Sequence, residues 1–472
     1  MKMNKKSFIF LSLGVALLLF SSLALLNYRA DMTRILHHDY THVYKGIHPN
    51  KLFLKTVYLL DNKEKYDTIV YGSSRGGFVD VSLISPKAYN MSHGFGTVTT
   101  YLDNLKTLLG NNIKIKNVWI SINDFVIWKD QTNSLVNMAY HNGLFGNIPL
   151  YTDWLFELRS KNVKILTDNI PLVKSNYIIN PQEKVKNSRK KEKILSEKRN
   201  IPPTTLGYTG IFRIDSAIKE VKDIKEICKK NNIHLTIFFY PTYYKTYFRY
   251  NQYKIEEFKR KLASIIDFYD FYDVGRLSIN KKNWFEGSHF TPSVGDYIIK
   301  NIQQGKGLVT SENIESRIQE TRSYIKNLAS VDLLPPGKSA YHYNSNINLD
   351  PFPIIFDITK NDITNISNAK QSTHSNKNTP VFIIKDIHTQ AKQIVLTTTI
   401  ESKSNANLRL FFKDSKDTDY NPRLTYQYKL KKGLNEIRIV ILGKYINNDM
   451  KVQIPQTSEN FKIDKFILQS LQ

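Results

Sequence analysis

Residues 66–80 read YDTIVYGSSRGGFVD, and this short stretch indicates both a fold class and a candidate site. Thr68 to Tyr71 is an apolar, strand-like run that ends in Gly72, two serines, an arginine and two glycines. Gly and Ser after an apolar strand are ordinary turn residues. A serine in such a turn acts as a nucleophile only when other residues supply a base and oxyanion donors. The stretch alone is therefore compatible with a plain turn or with a catalytic serine.

Strand-like and helix-like stretches alternate from about residue 66 to residue 300. The strand-like stretches are residues 67–72, 117–124 and 233–241, and the helix-like ones are residues 99–110, 217–232, 252–265 and 294–302. This alternation predicts an α/β fold with a parallel sheet covered by helices on both faces. The Gly72-Ser73-Ser74 turn and residues 121–124 follow predicted strands, at the carboxyl ends where functional groups gather in such sheets.

The chain has 472 residues, which is long enough for several domains. We predict a cytoplasmic stub and anchor over residues 1–30, an α/β domain over 31–330, a linker over 331–340 and an antiparallel β-sandwich over 341–472. Residues 126–215 interrupt the alternation and are predicted to be an insertion over the sheet, with a lid as one role. The C-terminal part shows short strand patterns separated by turns, which favours antiparallel strands. Its aromatic residues fit either the sandwich core or a carbohydrate-binding surface: Phe411, Phe412, Tyr426 and Tyr428.

The N-terminus carries nineteen consecutive uncharged residues, 8–26, preceded by Lys2, Lys5 and Lys6. As a helix this run is about 28 Å long, close to the roughly 30 Å of a bilayer core. A cleaved signal peptide is the alternative, although its apolar region is usually only about 7–15 residues long. We predict a single-pass membrane anchor. The preceding lysines indicate a cytoplasmic N-terminus and a body in the periplasm or at the cell exterior.

The net charge of +25 favours a polyanionic partner: nucleic acid, anionic lipid or an acidic glycan. An exported body argues against nucleic acid. The densest basic run, residues 184–199, has eight Lys or Arg and two Glu, and it is interpreted as a solvated loop or as an electrostatic guide. Cys228 is the single cysteine, so no intramolecular disulfide and no thiolate cluster is available. No P-loop, GxGxxG or HExxH motif occurs, and neither a cofactor nor a metal site is predicted.

Residues that could assist a strand-end serine occur further along the chain. His289 is the candidate base, and Glu286, three residues earlier, can orient its ring and stabilise the imidazolium. Gly94 and Gly96 can bring a backbone N–H close to a substrate oxygen. The side-chain amide of Asn123 can donate to the same oxygen. Each of these features alone is also typical of an ordinary loop or a surface position.

The order Ser, Gly, Asn, His on an alternating pattern resembles the SGNH (GDSL-type) hydrolase superfamily over about residues 60–305. The Gly72-Ser73-Ser74 turn resembles its Gly-Asp-Ser block, with Ser73 in place of Asp. Residues 121–124 resemble its Gly-x-Asn-Asp block, and residues 286–289 resemble its Asp-x-x-His block with Glu in place of Asp. The GSS pattern is similar to that of the membrane-anchored branch, which includes polysaccharide O-acetylation and teichoic acid D-alanylation proteins.

This resemblance implies a flavodoxin-like, three-layer α/β domain with a Ser-His site. It implies Ser74 as the nucleophile, His289 as the base and Glu286 as the acid that orients the base. The implied oxyanion hole consists of the Ser74 N–H, the Asn123 side chain and an N–H of Gly94 or Gly96. We also expect Gly76 and Gly77 to leave open backbone with room for a bulky acceptor.

Together these features predict a membrane-anchored, extracytoplasmic acyltransferase or esterase that adds or removes O-acyl groups, acetyl above all, on a surface polysaccharide. The expected partners are an acidic or neutral surface polysaccharide, a membrane-bound acyl-donor protein, and the membrane through one helix. A non-catalytic glycan-binding scaffold of a polysaccharide modification or export complex is one alternative, supported by Glu286 in place of Asp. A membrane lipid esterase is the other, supported by the basic charge and the many aromatic residues.

Overall fold

A computed structural model describes most of the chain. The residues it describes are 4–127, 139–141, 145–204, 212–247, 252–326, 340–342, 354–357, 366–368, 381–387, 389–391, 393–412, 420, 425–446, 448–453 and 461–471. The predicted linker over residues 331–340 lies outside the described residues except for its last residue, Ala340, where a strand begins.

The described helices and strands alternate as the sequence predicts up to about residue 310. The α-helices are α1 (Lys5–Ala30), α2 (Lys51–Asp61), α3 (Val98–Gly110), α4 (Ile148–Phe156), α5 (Ser160–Thr167), α6 (Gln182–Glu192), α7 (Ile214–Lys230), α8 (Tyr244–Tyr247), α9 (Gln252–Ala263), α10 (Arg276–Ile279), α11 (Pro292–Gln303) and α12 (Ile314–Lys326). The strands of this part are β1 (His42–Tyr44), β2 (Thr68–Tyr71), β3 (Ala88–Asn90), β4 (Asn117–Ile122), β5 (Leu172–Lys174), β6 (His234–Phe239), β7 (Phe268–Asp270) and β8 (Leu308–Val309).

The central sheet has six strands in the order β3-β2-β4-β6-β7-β8. Strands β2, β3, β4, β6 and β7 pair in parallel, and among the described strands of this sheet β8 alone pairs antiparallel, with β7. The predicted parallel-dominated sheet is therefore confirmed. The strands read as continuous apolar runs because parallel sheets are buried on both faces.

Helices cover both faces of this sheet. Alternate side chains of a strand point to opposite faces. Ile69 and Tyr71 of β2 belong to a large hydrophobic cluster that contains residues of α2, α3, α7 and α9. Val70 belongs to a second cluster, together with Ile298 and Ile299 of α11. The packing fixes the sheet between two helical layers and leaves the loops at the carboxyl ends of its strands to form a site.

The described residues of the C-terminal part form two separate five-stranded antiparallel sheets, which confirms the predicted antiparallel strands. Their strands are β9 (Ala340–His342), β10 (Ile354–Asp357), β11 (Ile366–Asn368), β12 (Val381–Ile387), β13 (Gln393–Ser402), β14 (Ala406–Phe411), β15 (Thr425–Leu430), β16 (Gly433–Leu442), β17 (Asn448–Gln453) and β18 (Phe461–Leu471). The sheet orders are β10-β18-β13-β16-β9 and β11-β12-β17-β14-β15.

Residues of both C-terminal sheets share one hydrophobic cluster, for example Leu396 of β13 and Leu410 of β14. Phe412 is fully buried in this cluster, so it is a core residue rather than a carbohydrate contact. Tyr426 and Tyr428 are partly buried and pack against the same cluster. Phe411 is half-buried, with the Lys451 ammonium 5.1 Å from its ring centroid.

Helix α1 confirms the predicted apolar N-terminal helix. It is long and apolar enough to cross a membrane, a property that a signal sequence near an N-terminus shares. Its first turn is capped by Asn4, whose side chain accepts a hydrogen bond from the Ser7 N–H at 2.8 Å.

The interpretation of the basic run as a solvated loop is wrong for its first half, which lies in α6. The helix is held by tertiary contacts rather than by its charge-rich sequence. Val185 and Ser188 are buried, and Arg189 forms an ion pair at 2.7 Å with Asp296 of α11. Basic residues of α6 are thereby placed near the carboxyl ends of the central strands.

Candidate active site

Ser74 lies directly after β2, at the first residue of a short 3-10 helix, Ser74–Phe78. Ser73 caps this helix, since its Oγ accepts a hydrogen bond from the Arg75 N–H at 3.3 Å. The preceding Gly72 has no room for a side chain, because a Cβ there would lie 2.7 Å from Ser92 Oγ and 2.8 Å from Ser121 Oγ. The strand end therefore turns sharply and presents the half-buried Ser74 at the surface of the site.

His289 and Glu286 lie on one tight turn that precedes α11. The Phe285 N–H donates to the His289 carbonyl at 2.8 Å, and Trp284 and Phe290 form an antiparallel bridge on either side of the turn. Pro292 then starts α11, a position where its missing N–H costs nothing. The turn holds both side chains on the same side, 215 residues away in sequence from Ser74.

The structure brings Ser74, His289 and Glu286 together in a hydrogen-bonded series. Ser74 Oγ lies 2.8 Å from His289 Nε2, within the distance over which a base can take a hydroxyl proton. His289 Nδ1 is hydrogen-bonded to Glu286 Oε1. With the proton on Nδ1 donated to Glu286, Nε2 is left as the acceptor that faces Ser74.

Two further residues hold the Glu286 carboxylate, and the sequence did not indicate them. Ser288 donates twice, from Oγ to Oε1 at 2.8 Å and from its N–H to Oε2 at 2.9 Å. Thr204 Oγ1 donates to Oε2 at 3.2 Å. These bonds compensate for the extra methylene of Glu relative to Asp, since they fix the longer side chain in one orientation.

Asn123 directly follows β4, the strand that pairs with β2, and is 1% exposed. Its Oδ1 accepts a hydrogen bond from Ser73 Oγ at 3.1 Å, whereas its Nδ2 has no hydrogen-bond partner in the described part of the chain. A buried amide that keeps an unused donor costs free energy unless a ligand accepts from it. The Ser73 hydroxyl thus fixes the orientation of the amide through its oxygen, and the nitrogen keeps an unused donor within the described residues.

The two glycines of the predicted oxyanion loop differ in their surroundings. Gly96 packs against the nucleophile turn, because a Cβ there would lie 2.6 Å from the Gly72 carbonyl oxygen. Its N–H is directed to the His93 carbonyl at 3.4 Å. Gly94 is half-buried at a turn, and the adjoining His93 N–H donates to the Gly72 carbonyl at 3.0 Å. The loop is therefore fastened beside the turn that bears Ser74.

An ion pair between Arg75 and Asp124 underlies the site, and sequence analysis missed it. Arg75 Nη2 lies 3.3 Å from Asp124 Oδ2, and both side chains are at most 2% exposed. Arg75 Nε also donates to the Ser288 carbonyl at 2.8 Å. One buried guanidinium thereby connects the Ser74 turn, the loop after β4 and the His289 turn.

The expectation that Gly76 and Gly77 leave room for an acceptor is wrong. A Cβ on Gly76 would overlap the Ser92 side chain, and one on Gly77 would lie 2.6 Å from Lys184 Nζ. These glycines permit close packing of Ser92 and Lys184 against the turn. The open space lies elsewhere.

A cavity of about 650 Å³ opens beside His289 and Glu286. Three aromatic residues form part of its wall: Phe78, Tyr177 and Phe285. Three lysines also line it: Lys174, Lys184 and Lys191. The cavity is large enough for one or two sugar rings and joins the site at the His289 ring. Within the described residues, no group of three or more His, Cys, Asp or Glu side chains is arranged to hold a metal ion.

The Glu286 carboxylate predicts a pH-dependent stability. Burial raises its pKa, but the hydrogen bonds from His289 and Ser288 outweigh burial and lower the pKa from 4.5 to about 2. A depressed folded-state pKa stabilises the fold fully above pH 4.5, and this contribution is lost as the pH falls towards 2. We expect Glu286→Gln to lower the melting temperature at neutral pH, and the difference from wild type to shrink through this range.

Thermal unfolding of the full chain in non-ionic detergent, measured across the pH range, checks this expectation. Glu312→Gln is the matched control, because Glu312 is exposed and forms no ion pair with another described residue. The control is expected to follow wild type at every pH. A difference for Glu286→Gln that stays constant from neutral pH down to pH 2 contradicts the assignment.

No protein-family model matches the sequence, and no curated protein matches it. Among solved structures, a proposed acylhydrolase from Bacteroides fragilis is similar to 52% of this chain over 92% of its own, at 14% identity and a TM-score of 0.28. A two-domain esterase active on acetylated mannans is similar over 90% of this chain and 96% of its own, at 9% identity and a TM-score of 0.21. A capsular polysaccharide assembling protein from Staphylococcus aureus aligns with 86% of this chain and 96% of its own, at 12% identity and a TM-score of 0.13. Similarities at these TM-scores place the chain in no family and say nothing of its activity.

Proposed function

We propose that this chain is a Ser-His acyl-transferring enzyme with an SGNH-like site, which adds or removes O-acyl groups on a surface polysaccharide. The observation that carries the proposal is the series Ser74–His289–Glu286, with 2.8 Å between Ser74 Oγ and His289 Nε2. These residues come from turns far apart in the sequence and meet at the carboxyl end of a central strand. Such a constellation is recognised by its geometry and roles rather than by sequence position.

The mechanism follows from the positions of the hydrogen-bonding atoms. Ser74 Oγ attacks the acyl carbon while its proton passes to His289 Nε2, and Glu286 stabilises the imidazolium. The bond from the acyl carbon to the leaving alcohol breaks as His289 returns that proton to the leaving oxygen. In the second half, water or a sugar hydroxyl gives its proton to His289 and attacks the acyl carbon of the acyl-serine. The bond from that carbon to Ser74 Oγ then breaks as His289 returns the proton to Ser74 Oγ, which restores the free enzyme. Water gives hydrolysis, and a sugar hydroxyl gives transfer.

The proposed oxyanion hole uses three donors around the Ser74 turn. They are the Ser74 N–H at the start of its 3-10 helix, the unpartnered Nδ2 of Asn123 and the N–H of Gly94. We choose Gly94 over Gly96 because the Gly96 N–H points to the His93 carbonyl. Donors placed before the reaction stabilise the developing negative charge without reorganisation.

The proposed layout of the domain is flavodoxin-like. Counted along the chain within the central sheet, the strands lie in the order 2-1-3-4-5-6, and the first five of these positions match the flavodoxin order. In such folds ligands bind outside the carboxyl ends of the strands, near the point where the strand order reverses. Ser74 follows the strand at that point.

We propose further that α1 stays attached as a membrane anchor, with the body outside the cytoplasm. The C-terminal end of the helix is built into the fold: Asn27 is buried, and its Nδ2 donates to the Leu155 carbonyl at 2.8 Å and the Glu157 carbonyl at 2.9 Å. Asn162 Nδ2 donates to Asn27 Oδ1 at 2.8 Å. Cleavage before Asn27 would separate these contacts from the exposed apolar part. The intact mass of protein extracted from membranes tests whether residues 1–30 are retained.

The proposal is tested with the full chain in detergent, offered p-nitrophenyl acetate and an O-acetylated glycan. We expect Ser74-dependent release of acetate from both substrates. If the reaction is transfer, a sugar acceptor should also speed loss of the acyl group from the acyl-serine. Folded protein without any Ser74-dependent turnover or labelling would instead support a non-catalytic glycan-binding scaffold. Turnover of phospholipid esters with no turnover of the glycan would support a membrane lipid esterase.

The Asn123 side chain is expected to contribute to the chemical step. Asn123→Ala removes one oxyanion donor, so kcat for p-nitrophenyl acetate should fall by about 10²- to 10³-fold with little change in KM. Asn117→Ala is the matched control, since Asn117 lies at the opposite end of the same strand and donates to Thr68 Oγ1. The control should stay within about twofold of wild type, because it removes no contact to the reacting atoms. Equal losses in the two variants would contradict the assigned role.

A further inference from the structure

Three lysines converge beside the cavity. Lys51 and Lys55 of α2 place their ammonium groups 4.6 Å and 5.3 Å from the ring centroid of Tyr177, which lines the cavity. Lys184 of α6 approaches from the other side, with its Nζ 4.1 Å from the ring centroid of Phe78. Among the described residues, no carboxylate oxygen lies within 4.0 Å of these three ammonium groups.

Burial and repulsion from neighbouring lysines lower the pKa values of Lys55 and Lys184. Lys55 is 1% exposed, and it donates to the Asn90 and Ser92 carbonyls at 2.7 Å each, which satisfies two of its protons but supplies no counter-charge. Burial, and then the charges of Lys51 and Lys184, lower the pKa of Lys55 well below its ordinary value. Burial, and then the charge of Lys51, lower the pKa of Lys184 to about 8. An anion placed near this cluster relieves the repulsion that the protein leaves in place.

The cavity gives such an anion access to the cluster. Lys184 lines the cavity, and the exposed Lys174 and Lys191 line it as well. Glu183 and Glu286 are the carboxylates of the same lining, and Glu286 is engaged with His289. Asn176 and Asn187 add side-chain amides that can donate to an anion. The lining therefore combines the half-buried Lys184, two exposed lysines and neutral donors next to the His289 ring.

We propose that this cavity is an acceptor subsite for an anionic polymer, with a carboxylate or phosphate of the polymer held by Lys184 while a neighbouring hydroxyl or ester reaches Ser74. Aromatic rings on the wall fit the faces of sugar rings, and the lysines fit the charged substituent. The inference rests on the proposed function, since it names the class of substrate for that same site. On this proposal, Lys184 and Lys191 of the basic run, residues 184–199, contact the polymer from the wall of the cavity.

Binding is measured separately from catalysis, on the full chain in non-ionic detergent with end-labelled polymers followed by fluorescence anisotropy. Polygalacturonate supplies carboxylates, poly(glycerol phosphate) supplies phosphodiesters, and dextran is the neutral probe. We expect one or both anionic polymers to bind at least about tenfold more tightly than dextran, with an affinity that falls as salt rises. Preference for one anionic polymer over the other identifies the charged group.

Lys184→Met keeps an unbranched side chain of similar length and removes the charge that lies over the Phe78 ring. We expect it to weaken binding of the preferred polymer by about tenfold or more, the loss typical of one charge-assisted hydrogen bond. Lys186→Met, an exposed position on the same helix that does not line the cavity, is the matched control and should bind as wild type does. The double variant Lys174→Met/Lys191→Met removes two exposed charges, so it gives a second reading that does not depend on the folding of the Lys184 variant.

Two results would overturn the inference: dextran bound as tightly as both anionic polymers, or equal affinities for the Lys184 and Lys186 variants with the double variant unchanged. The proposed function is tested by turnover of p-nitrophenyl acetate rather than by polymer binding. Ser74-dependent turnover of p-nitrophenyl acetate without any polyanion preference leaves the enzyme assignment standing and removes the subsite. Lys184-dependent polyanion binding without Ser74-dependent turnover leaves the anion-binding cavity standing and removes the enzyme assignment.

Discussion

Replacement of Ser74 by alanine is expected to lower kcat for p-nitrophenyl acetate by at least about 10³-fold, because it removes the hydroxyl that faces His289 Nε2 and forms the proposed acyl-enzyme. Ser74 Oγ is half-buried and 2.8 Å from His289 Nε2, so the variant removes one small atom and leaves the surrounding contacts in place. The measurement is steady-state turnover by the full chain in detergent, with a melting temperature close to wild type as evidence of folding.

Ser73→Ala is the control for this prediction, since the two serines are adjacent. Ser73 Oγ donates to Asn123 Oδ1 at 3.1 Å and caps the following turn, which makes it a positioning residue. We expect its loss to lower kcat by at most about tenfold, the effect of one lost hydrogen bond. A Ser74→Ala enzyme that keeps more activity than Ser73→Ala would show that the nucleophile is misassigned.

The second large effect is expected on stability. Asp124→Asn removes the carboxylate that faces Arg75, both of them at most 2% exposed, and leaves the guanidinium without that charge partner. Removal of one partner of a buried ion pair typically costs about 3–5 kcal/mol of unfolding free energy. Urea unfolding followed by tryptophan fluorescence measures this loss in the α/β part, because all four tryptophans precede residue 300.

Asp223→Asn is the matched control on the same α/β part. Asp223 pairs with Lys219 at 2.9 Å on the exposed face of α7. An exposed pair of this kind contributes about 0–1 kcal/mol, so the control should unfold nearly as wild type does. Similar unfolding free energies for the two variants would contradict the structural role of the Arg75–Asp124 pair. Activity of Asp124→Asn should fall as well, because Arg75 also holds the Ser288 carbonyl beside His289.

The longer elements could be predicted from the sequence because their periodicity is clear. Helix α7 repeats apolar residues at helical spacing, as in Ile218, Val221 and Ile224, all facing the core. Strands β3 and β7 were missed because each has three residues, too few for a period of two to be recognised. Helix α6 was missed because its sequence is rich in Lys and Arg, and its contacts with α11 are tertiary.

Residues of the candidate site could be predicted from the sequence where they adjoin a recognisable strand or helix and occur in a familiar order. Ser74, Asn123 and His289 each follow a recognisable strand or precede a recognisable helix, and their order gave the resemblance. The Arg75–Asp124 pair was not accessible, since its partners are 49 residues apart and meet only because β2 and β4 are neighbours in the sheet. The same is true of Lys184, which reaches the cavity only through the packing of α6 against the turn after Ser74.

The most direct test of the central claim is the position of a covalent adduct. The full chain is treated with a fluorophosphonate, digested and mapped by tandem mass spectrometry. The geometry predicts a single modified residue, Ser74, with labelling that is abolished in His289→Ala because the base that activates the hydroxyl is gone. An adduct on Ser73 or Ser288, or labelling of Ser74 that persists unchanged without His289, would contradict the proposed catalytic site.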